Sequence, residues 1–325
     1  MNPALCSGNT NLLATVTDDG RIKVWDIAAR RVRVEYEGHP RSSTAALNSP
    51  YNTIAFSRDG RWLASAIADN SVKLWDVESG NSKPVRTIHR YASWACGVVF
   101  SPDGRRLFSG GSDSMIRTWD VATGAEEGDP LEGHTGWVYE LVISPDGLRL
   151  ASGGSDSTVI VWDVLGRKRE TKFSGHIAAV TALAFSPDHR ILASGAFDRT
   201  IRLWDLNTRK QVSLLRGHGA PVKWLRFSPD GQLLASRSED GLAKLWKTTP
   251  GLEDNTLTSG QRSLGEVALS PDGRRLASAG VHNFAVELWE LTTRSRSLLH
   301  GHSNDWMRLF PPTAGFSPPA VTTRR

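Results

Sequence analysis

Residues 152–163 read SGGSDSTVIVWD. Taken alone, the stretch suggests a nucleophile: a serine among glycines, beside an aspartate. Serine hydrolases present their nucleophile in a sharp Gly-x-Ser-x-Gly turn, and GGSDS misses that pattern by one residue. The same stretch, however, recurs along the chain. Residues 15–26 read TVTDDGRIKVWD, 65–76 SAIADNSVKLWD, 109–120 SGGSDSMIRTWD and 194–205 SGAFDRTIRLWD. Looser copies are SRSEDGLAKLWK at 236–247 and SAGVHNFAVELWE, one residue longer, at 278–290. A fixed period of this kind decides the fold before any single residue does.

The repeated tryptophans fall at 25, 75, 119, 162, 204, 246 and 289, steps of 42 to 50 residues. Each unit has one internal grammar. An alternating apolar run ends in a turn such as SPDG at 144–147 or 228–231, where proline presets φ and glycine closes a type I turn. A second short strand follows, then a tight turn bearing an aspartate, then a third strand ending in Trp-Asp. A fourth, weaker strand runs into Gly-His. Four short antiparallel strands per unit is the pattern of one propeller blade.

On these residues the chain resembles the WD-repeat β-propeller family, from residue 3 to about 310. The resemblance implies an all-β fold, a seven-bladed β-propeller with four antiparallel strands per blade. It also implies one buried hydrogen-bonded set per blade, made of the Gly-His histidine, a Ser or Thr, the turn aspartate and the tryptophan. The expected sets are His39, Ser65, Asp69 and Trp75; His89, Ser109, Asp113 and Trp119; His134, Ser152, Asp156 and Trp162; His176, Ser194, Asp198 and Trp204; and His218, Ser236, Asp240 and Trp246. A buried carboxylate, imidazole and hydroxyl must satisfy one another, and the indole N–H needs an acceptor. A Ser/His/Asp grouping that occurs five times is architecture, since an enzyme needs one site in a cleft. Ser155 is then a turn residue and not a nucleophile.

Several positions depart from the pattern. The last repeat has Gln261 for the histidine and Asn283 for the aspartate, and the second carries a long segment at 41–52 that reads as a protruding loop or a plain insertion. His189 stands where the other turns have glycine. The first repeat has Thr15, Asp19 and Trp25 but no preceding Gly-His, whereas LLHGHSNDWMRLFPP at 298–312 has one to spare. The expectation is that His302 completes the first set and that 304–310 adds its innermost strand, closing the ring. Two other readings stay open: 303–325 as the start of an eighth unit of a longer array, and NPALC at 2–6 as the inner strand. Residues 311–325, PPTAGFSPPAVTTRR, read as a proline-rich disordered tail. The domain expectation is thus a propeller over 1–310 followed by that tail.

Composition narrows the function. A net charge of +5 over 325 residues is mild and no Lys/Arg block is dense enough for a nucleic-acid arm. Two cysteines, Cys6 and Cys96, show no metal or disulfide spacing, and no apolar run approaches a membrane span. No phosphate-loop, zinc-protease or dinucleotide motif is present. The expectation is an intracellular, cytoplasmic, non-catalytic scaffold without cofactor or metal, binding other proteins or peptides, alone as a monomer or within a larger complex. The alternatives are an acidic peptide or nucleic acid on a mildly basic face, or a sensor module of a larger protein. In the family, partner contacts concentrate on the Gly-His face. The resemblance carries these over to Trp94, Cys96, Trp137, Tyr139, Phe197, Lys223 and Glu239, with Asp18 and Met307 in the joint blade. Tryptophan and tyrosine are enriched in binding hot spots, and the competing reading is that they pack under neighbouring loops.

Overall fold

The computed structural model describes residues 4–5, 12–16, 21–26, 29, 31–38, 53–67, 70–91, 94–248, 255–257, 264–270, 274–280, 286–291, 293 and 295–299. These form seven antiparallel sheets in chain order, six of four strands and one of three. Sheet one holds β1 (Ala4–Leu5), β2 (Leu12–Val16), β3 (Ile22–Asp26) and β4 (Arg31–Tyr36); sheet two holds β5 (Thr53–Phe56), β6 (Trp62–Ile67), β7 (Ser71–Asp76) and β8 (Arg86–Arg90). Sheet three has β9 (Ala95–Phe100), β10 (Arg106–Gly111) and β11 (Ile116–Asp120). Sheet four has β12 (Val138–Ile143), β13 (Arg149–Gly154), β14 (Val159–Asp163) and β15 (Lys168–Phe173), and sheet five β16 (Val180–Phe185), β17 (Ile191–Ala196), β18 (Ile201–Asp205) and β19 (Lys210–Leu215). Sheets six and seven run β20 (Val222–Phe227), β21 (Leu233–Ser238), β22 (Ala243–Lys247), β23 (Asn255–Leu257), and β24 (Leu264–Leu269), β25 (Arg275–Gly280), β26 (Val286–Glu290), β27 (Ser295–Leu299). No helix among the described residues is long and apolar enough to cross a membrane.

The turns follow from their side chains. In SPDG at 144–147, Ser144 Oγ donates to Asp146 Oδ1 at 2.5 Å and accepts from Arg149 N at 2.9 Å, while Leu148 N donates to Asp146 at 3.0 Å. Gly147 sits at φ 74°, where a side chain is disfavoured. The aspartate of Trp-Asp works likewise, Asp163 Oδ1 accepting from Gly166 N at 3.0 Å. In sheet three the fourth strand gives way to two isolated bridges, Ile116 with Leu131 and Trp119 with Glu126. Pro130, which has no N–H to donate, and Gly128 at φ 61° interrupt the ladder between them.

Hydrophobic clusters join each sheet to the next. Ile22 and Val24 of sheet one meet Leu63 and Trp75 of sheet two, Phe108 and Ile116 of sheet three meet Leu150 and Trp162 of sheet four, and Leu245 meets Trp289 across sheets six and seven. Glycine sets the spacing at the tightest approach. A Cβ on Gly153 would lie 2.7 Å from Val180 Cγ1, and one on Gly154 2.8 Å from His134 Nδ1. This is why the opening stretch needs two glycines before Ser155.

The inner edge of β2, expected for 304–310, is held over two residue pairs by β1, with Ala4 opposite Ala14 and Leu5 opposite Leu13. That is the position the sequence also leaves open to 2–6. Residues 304–310, His302, Met307 and the 311–325 tail lie outside the described residues, as do Asp18, Asp19, His39, Asp69, the 41–52 segment, Gln261 and Asn283.

Candidate functional site

Three of the expected polar sets are present in full. In sheet four Trp162 Nε1 donates to Ser152 Oγ at 2.8 Å, Ser152 Oγ lies 2.7 Å from His134 Nε2, and His134 Nδ1 lies 3.0 Å from Asp156 Oδ2. Sheet five repeats this with Trp204, Ser194, His176 and Asp198 at 2.8, 2.8 and 2.8 Å. Sheet six does so with Trp246, Ser236, His218 and Asp240 at 2.7, 2.8 and 2.8 Å. The proton order is fixed by donor counting. The indole can only donate and the carboxylate only accept, so serine donates to Nε2 and Nδ1–H donates to aspartate. In this order the serine hydroxyl is spent on the histidine, and each serine is fully buried.

The electrostatics agree with a charged carboxylate in all three sets and with a neutral imidazole in sheet five. Burial pulls Asp156 upward, yet the hydrogen bonds from His134, Thr135 N and Thr158 hold it well below the carboxylate range. Asp198 and Asp240 are lowered in the same way. Burial lowers His176 despite Asp198 beside it. Trp75 Nε1 donates to Ser65 Oγ at 2.8 Å and Trp25 Nε1 to Thr15 Oγ1 at 3.2 Å, with the rest of those two sets outside the described residues.

The third set departs from expectation. The histidine's place beside Ser109 belongs to Tyr91, whose hydroxyl lies 2.8 Å from Ser109 Oγ, and Trp119 Nε1 donates to the same oxygen at 2.8 Å. Asp113 is met by Arg117 at 2.5 Å, and the Arg117 guanidinium lies over the Tyr91 ring at 5.4 Å. His89 lies in β8, opposite Val72. Spacing carried the signal: in the complete sets histidine precedes serine by 18 residues, and the residue 18 before Ser109 is Tyr91. His189 adopts φ 59°, and its Nδ1 lies 2.8 Å from Asp146 Oδ2 of the neighbouring turn.

The expected partner-binding residues fall into two groups on the end bearing the aspartate turns. Trp94 and Trp137 stack with ring centroids 6.1 Å apart and Tyr139 meets Trp137 edge-on at 6.2 Å. Both tryptophans are partly buried. Their backbones are held by the turns, since Ser112 N donates to Trp94 O at 2.9 Å and Ser155 N to Trp137 O at 2.8 Å. Ser155 thus serves by positioning a tryptophan. In the second group Lys223 lies over Phe197 at 4.3 Å and pairs with Glu239 at 3.2 Å. Burial lowers Lys223, partly countered by Glu239. Cys96 does not belong with them: it is fully buried and burial pushes its thiol up to about 12. It faces inward because β9 continues a buried run from Ala95. Ile177, 87% exposed after the Gly-His of sheet five, was missed, as an isoleucine in a loop carries no distinguishing pattern. Among the described residues no three His, Cys, Asp or Glu side chains cluster to hold a metal.

The family comparisons agree with this geometry. The model described as "IFT122 first beta-propeller" matches residues 94–309, about two thirds of the chain, and "WD domain, G-beta repeat" matches 4–26 and 31–76. Human WD repeat-containing protein 36 is 38% identical over 79 residues, 24% of this chain and 8% of that protein. Nuclear distribution protein PAC1 of Arthroderma otae is 34% identical over 26% of this chain and 18% of its own length, and ribosome assembly protein 4 of Saccharomyces cerevisiae 32% over 23% and 14%. The match thus spans less than a fifth of each of these relatives. With its repeated Trp–Ser–His–Asp sets and successively packed antiparallel sheets, the chain belongs to the WD-repeat β-propeller family, as an IFT122 first beta-propeller-type member.

Proposed function

We propose that this protein is a non-catalytic, intracellular interaction scaffold that holds a peptide or protein domain on the face carrying Trp94, Trp137 and Tyr139. Family propellers generally act as scaffolds in complexes. The observation that carries the reading here is the aromatic ledge, three contiguous rings outside the Trp–Ser–His–Asp sets. Rigid aromatic side chains on loops over a stiff frame are suited to anchor a partner at small entropic cost. Phe197, Lys223, Glu239 and Ile177 extend the surface. The frame in this proposal is a closed ring of seven blades over residues 1–310, four-stranded except the third, followed by the 311–325 tail.

Affinity capture from the native host's lysate tests it, comparing wild type with Trp94→Ala/Trp137→Ala at equal melting temperature. Partners lost only from the variant support the ledge; an unchanged partner set refutes it. A partner held instead by basic charge, nucleic acid or an acidic peptide, would dissociate steeply with salt, whereas an apolar anchor would not.

A further inference from the structure

The ledge of Trp94, Trp137 and Tyr139 has a carboxylate at its foot. Glu140 follows Tyr139 on β12, at the bulge that shifts the register between Val138 and Glu140. Bulges re-aim the side chains beside them, and the sister sheets show which way these two point. Thr181, at the place of Tyr139 in sheet five, donates through Oγ1 to Val222 O at 2.7 Å. Thr53, at the place of Glu140 in sheet two, donates to Cys96 O. A Cβ on Gly97, at the same place in sheet three, would lie 3.3 Å from Tyr139 O. Each reaches the inner strand of the following sheet, so Tyr139 and Glu140 leave β12 together on the side of β16. Glu140 is partly exposed, yet burial alone pushes it up to about 8. A group that keeps an opening but is crowded this closely by protein lies at the floor of a recess.

That carboxylate lacks a counter-charge. The strands packed against β12 are β9, β10, β13 and β16. Their only charges are Arg106 and Arg149, held at 2.7 Å by Glu127 and at 2.8 Å by Glu170. Glu140 itself makes no hydrogen bond or ion pair among the described residues. Burial alone acts on Arg226 of β20 as well, so the two do not meet. Arg117 and Lys223, cations at the same end, are engaged by Asp113 and Glu239. A buried carboxylate without a partner is costly, and aromatic faces beside it attract cations. We infer that the ledge and Glu140 together take a basic side chain, Lys or Arg, of a partner-protein segment. The rings cover its stem and Glu140 meets its head. This rests on the reading of the ledge as a partner site and adds what the partner must offer. The chain's own Arg324 and Arg325 carry the same chemistry, and the variant Arg324→Gln/Arg325→Gln separates the two sources.

A displayed library of random peptides is panned on the full chain at about pH 8.5, where Glu140 is ionised and Lys and Arg stay charged. Wild type should enrich sequences that share one Lys or Arg position. Their recovery should fall about tenfold on Glu140→Gln, which keeps the shape of the side chain, and about tenfold or more on Trp94→Ala/Trp137→Ala. In a synthetic copy of one such peptide, replacing the basic residue by Gln should cost about tenfold on wild type and nothing further on Glu140→Gln. Ledge-dependent peptides that are neutral or acidic, or that ignore Glu140→Gln, would overturn the inference and leave the ledge reading standing. Recovery of no peptide that depends on Trp94 and Trp137 would overturn both. Peptides recovered only on Arg324→Gln/Arg325→Gln would put the tail in the site and overturn the assignment to a partner.

Discussion

Ser152→Ala removes one oxygen and tests the whole polar set of sheet four. That oxygen is fully buried, accepts the Trp162 indole proton at 2.8 Å and donates to His134 Nε2 at 2.7 Å. Alanine fits the space, so the cavity left behind is negligible. The cost is two buried polar atoms without partners, each worth about 1–3 kcal/mol, giving about 2–6 kcal/mol. Against a total stability of about 5–15 kcal/mol this is a large fraction. Ile160 O lies 3.4 Å from Ser152 Oγ, but a carbonyl only accepts, so it offers nothing to His134 Nε2, which is left needing a donor. The assay is urea unfolding followed by far-ultraviolet circular dichroism, with tryptophan fluorescence as a second probe for partial opening. Ser155→Ala, three residues on, is the control; its partly exposed side chain should change stability by no more than about 0.5 kcal/mol. If Ser152→Ala also stays within about 0.5 kcal/mol, the reasoning from donor counting fails.

Other outcomes follow from the same contacts. Gly153→Ala should cost about 1–3 kcal/mol, because its Cβ would stand 2.7 Å from Val180 Cγ1, whereas Gly219→Ala, with 3.7 Å of room, should be near neutral in the same unfolding assay. Tyr91→Phe should cost about 1 kcal/mol by thermal or urea melts, since Ser109 keeps its bond from Trp119. Stability should fall below about pH 6.5, where unfolded chains take up the proton that burial denies His176, and again below about 4 as Asp156, Asp198 and Asp240 must be protonated. Glu140 acts in the opposite sense: burial pushes it up to about 8, so its carboxylate destabilises increasingly as pH rises from 4.5. Glu140→Gln should therefore raise the melting temperature above pH 8 and leave it unchanged near pH 4.

Much of this was legible because period and chemistry coincide. The tryptophan recurs seven times and marks seven third strands, its indole reaching the Ser or Thr of the second strand in the first six, while five of the seven are followed by the aspartate that caps the next turn. The polar sets of sheets four to six were readable because histidine, serine and aspartate keep fixed spacing. In the third set Tyr91 fills by size and hydroxyl the place that the resemblance assigns to His89, and only the 18-residue spacing to Ser109 marks it. Cys96 was misplaced because alternation along β9 breaks down where Gly97 lets the next sheet approach, its Cβ position lying 3.3 Å from Tyr139 O. Surface identity was least legible: Ile177 differs from its sisters only in what it exposes, which a strand pattern does not encode.

The most direct test of the central claim, that the polar sets hold the frame while the aromatic ledge does the binding, is partner capture measured at matched folded fraction for two variants. Ser152→Ala should melt early yet, while folded, retain the wild-type partners. Trp94→Ala/Trp137→Ala should melt with wild type and lose them. The reverse pattern, with partners following Ser152 and stability following the two tryptophans, would contradict the account.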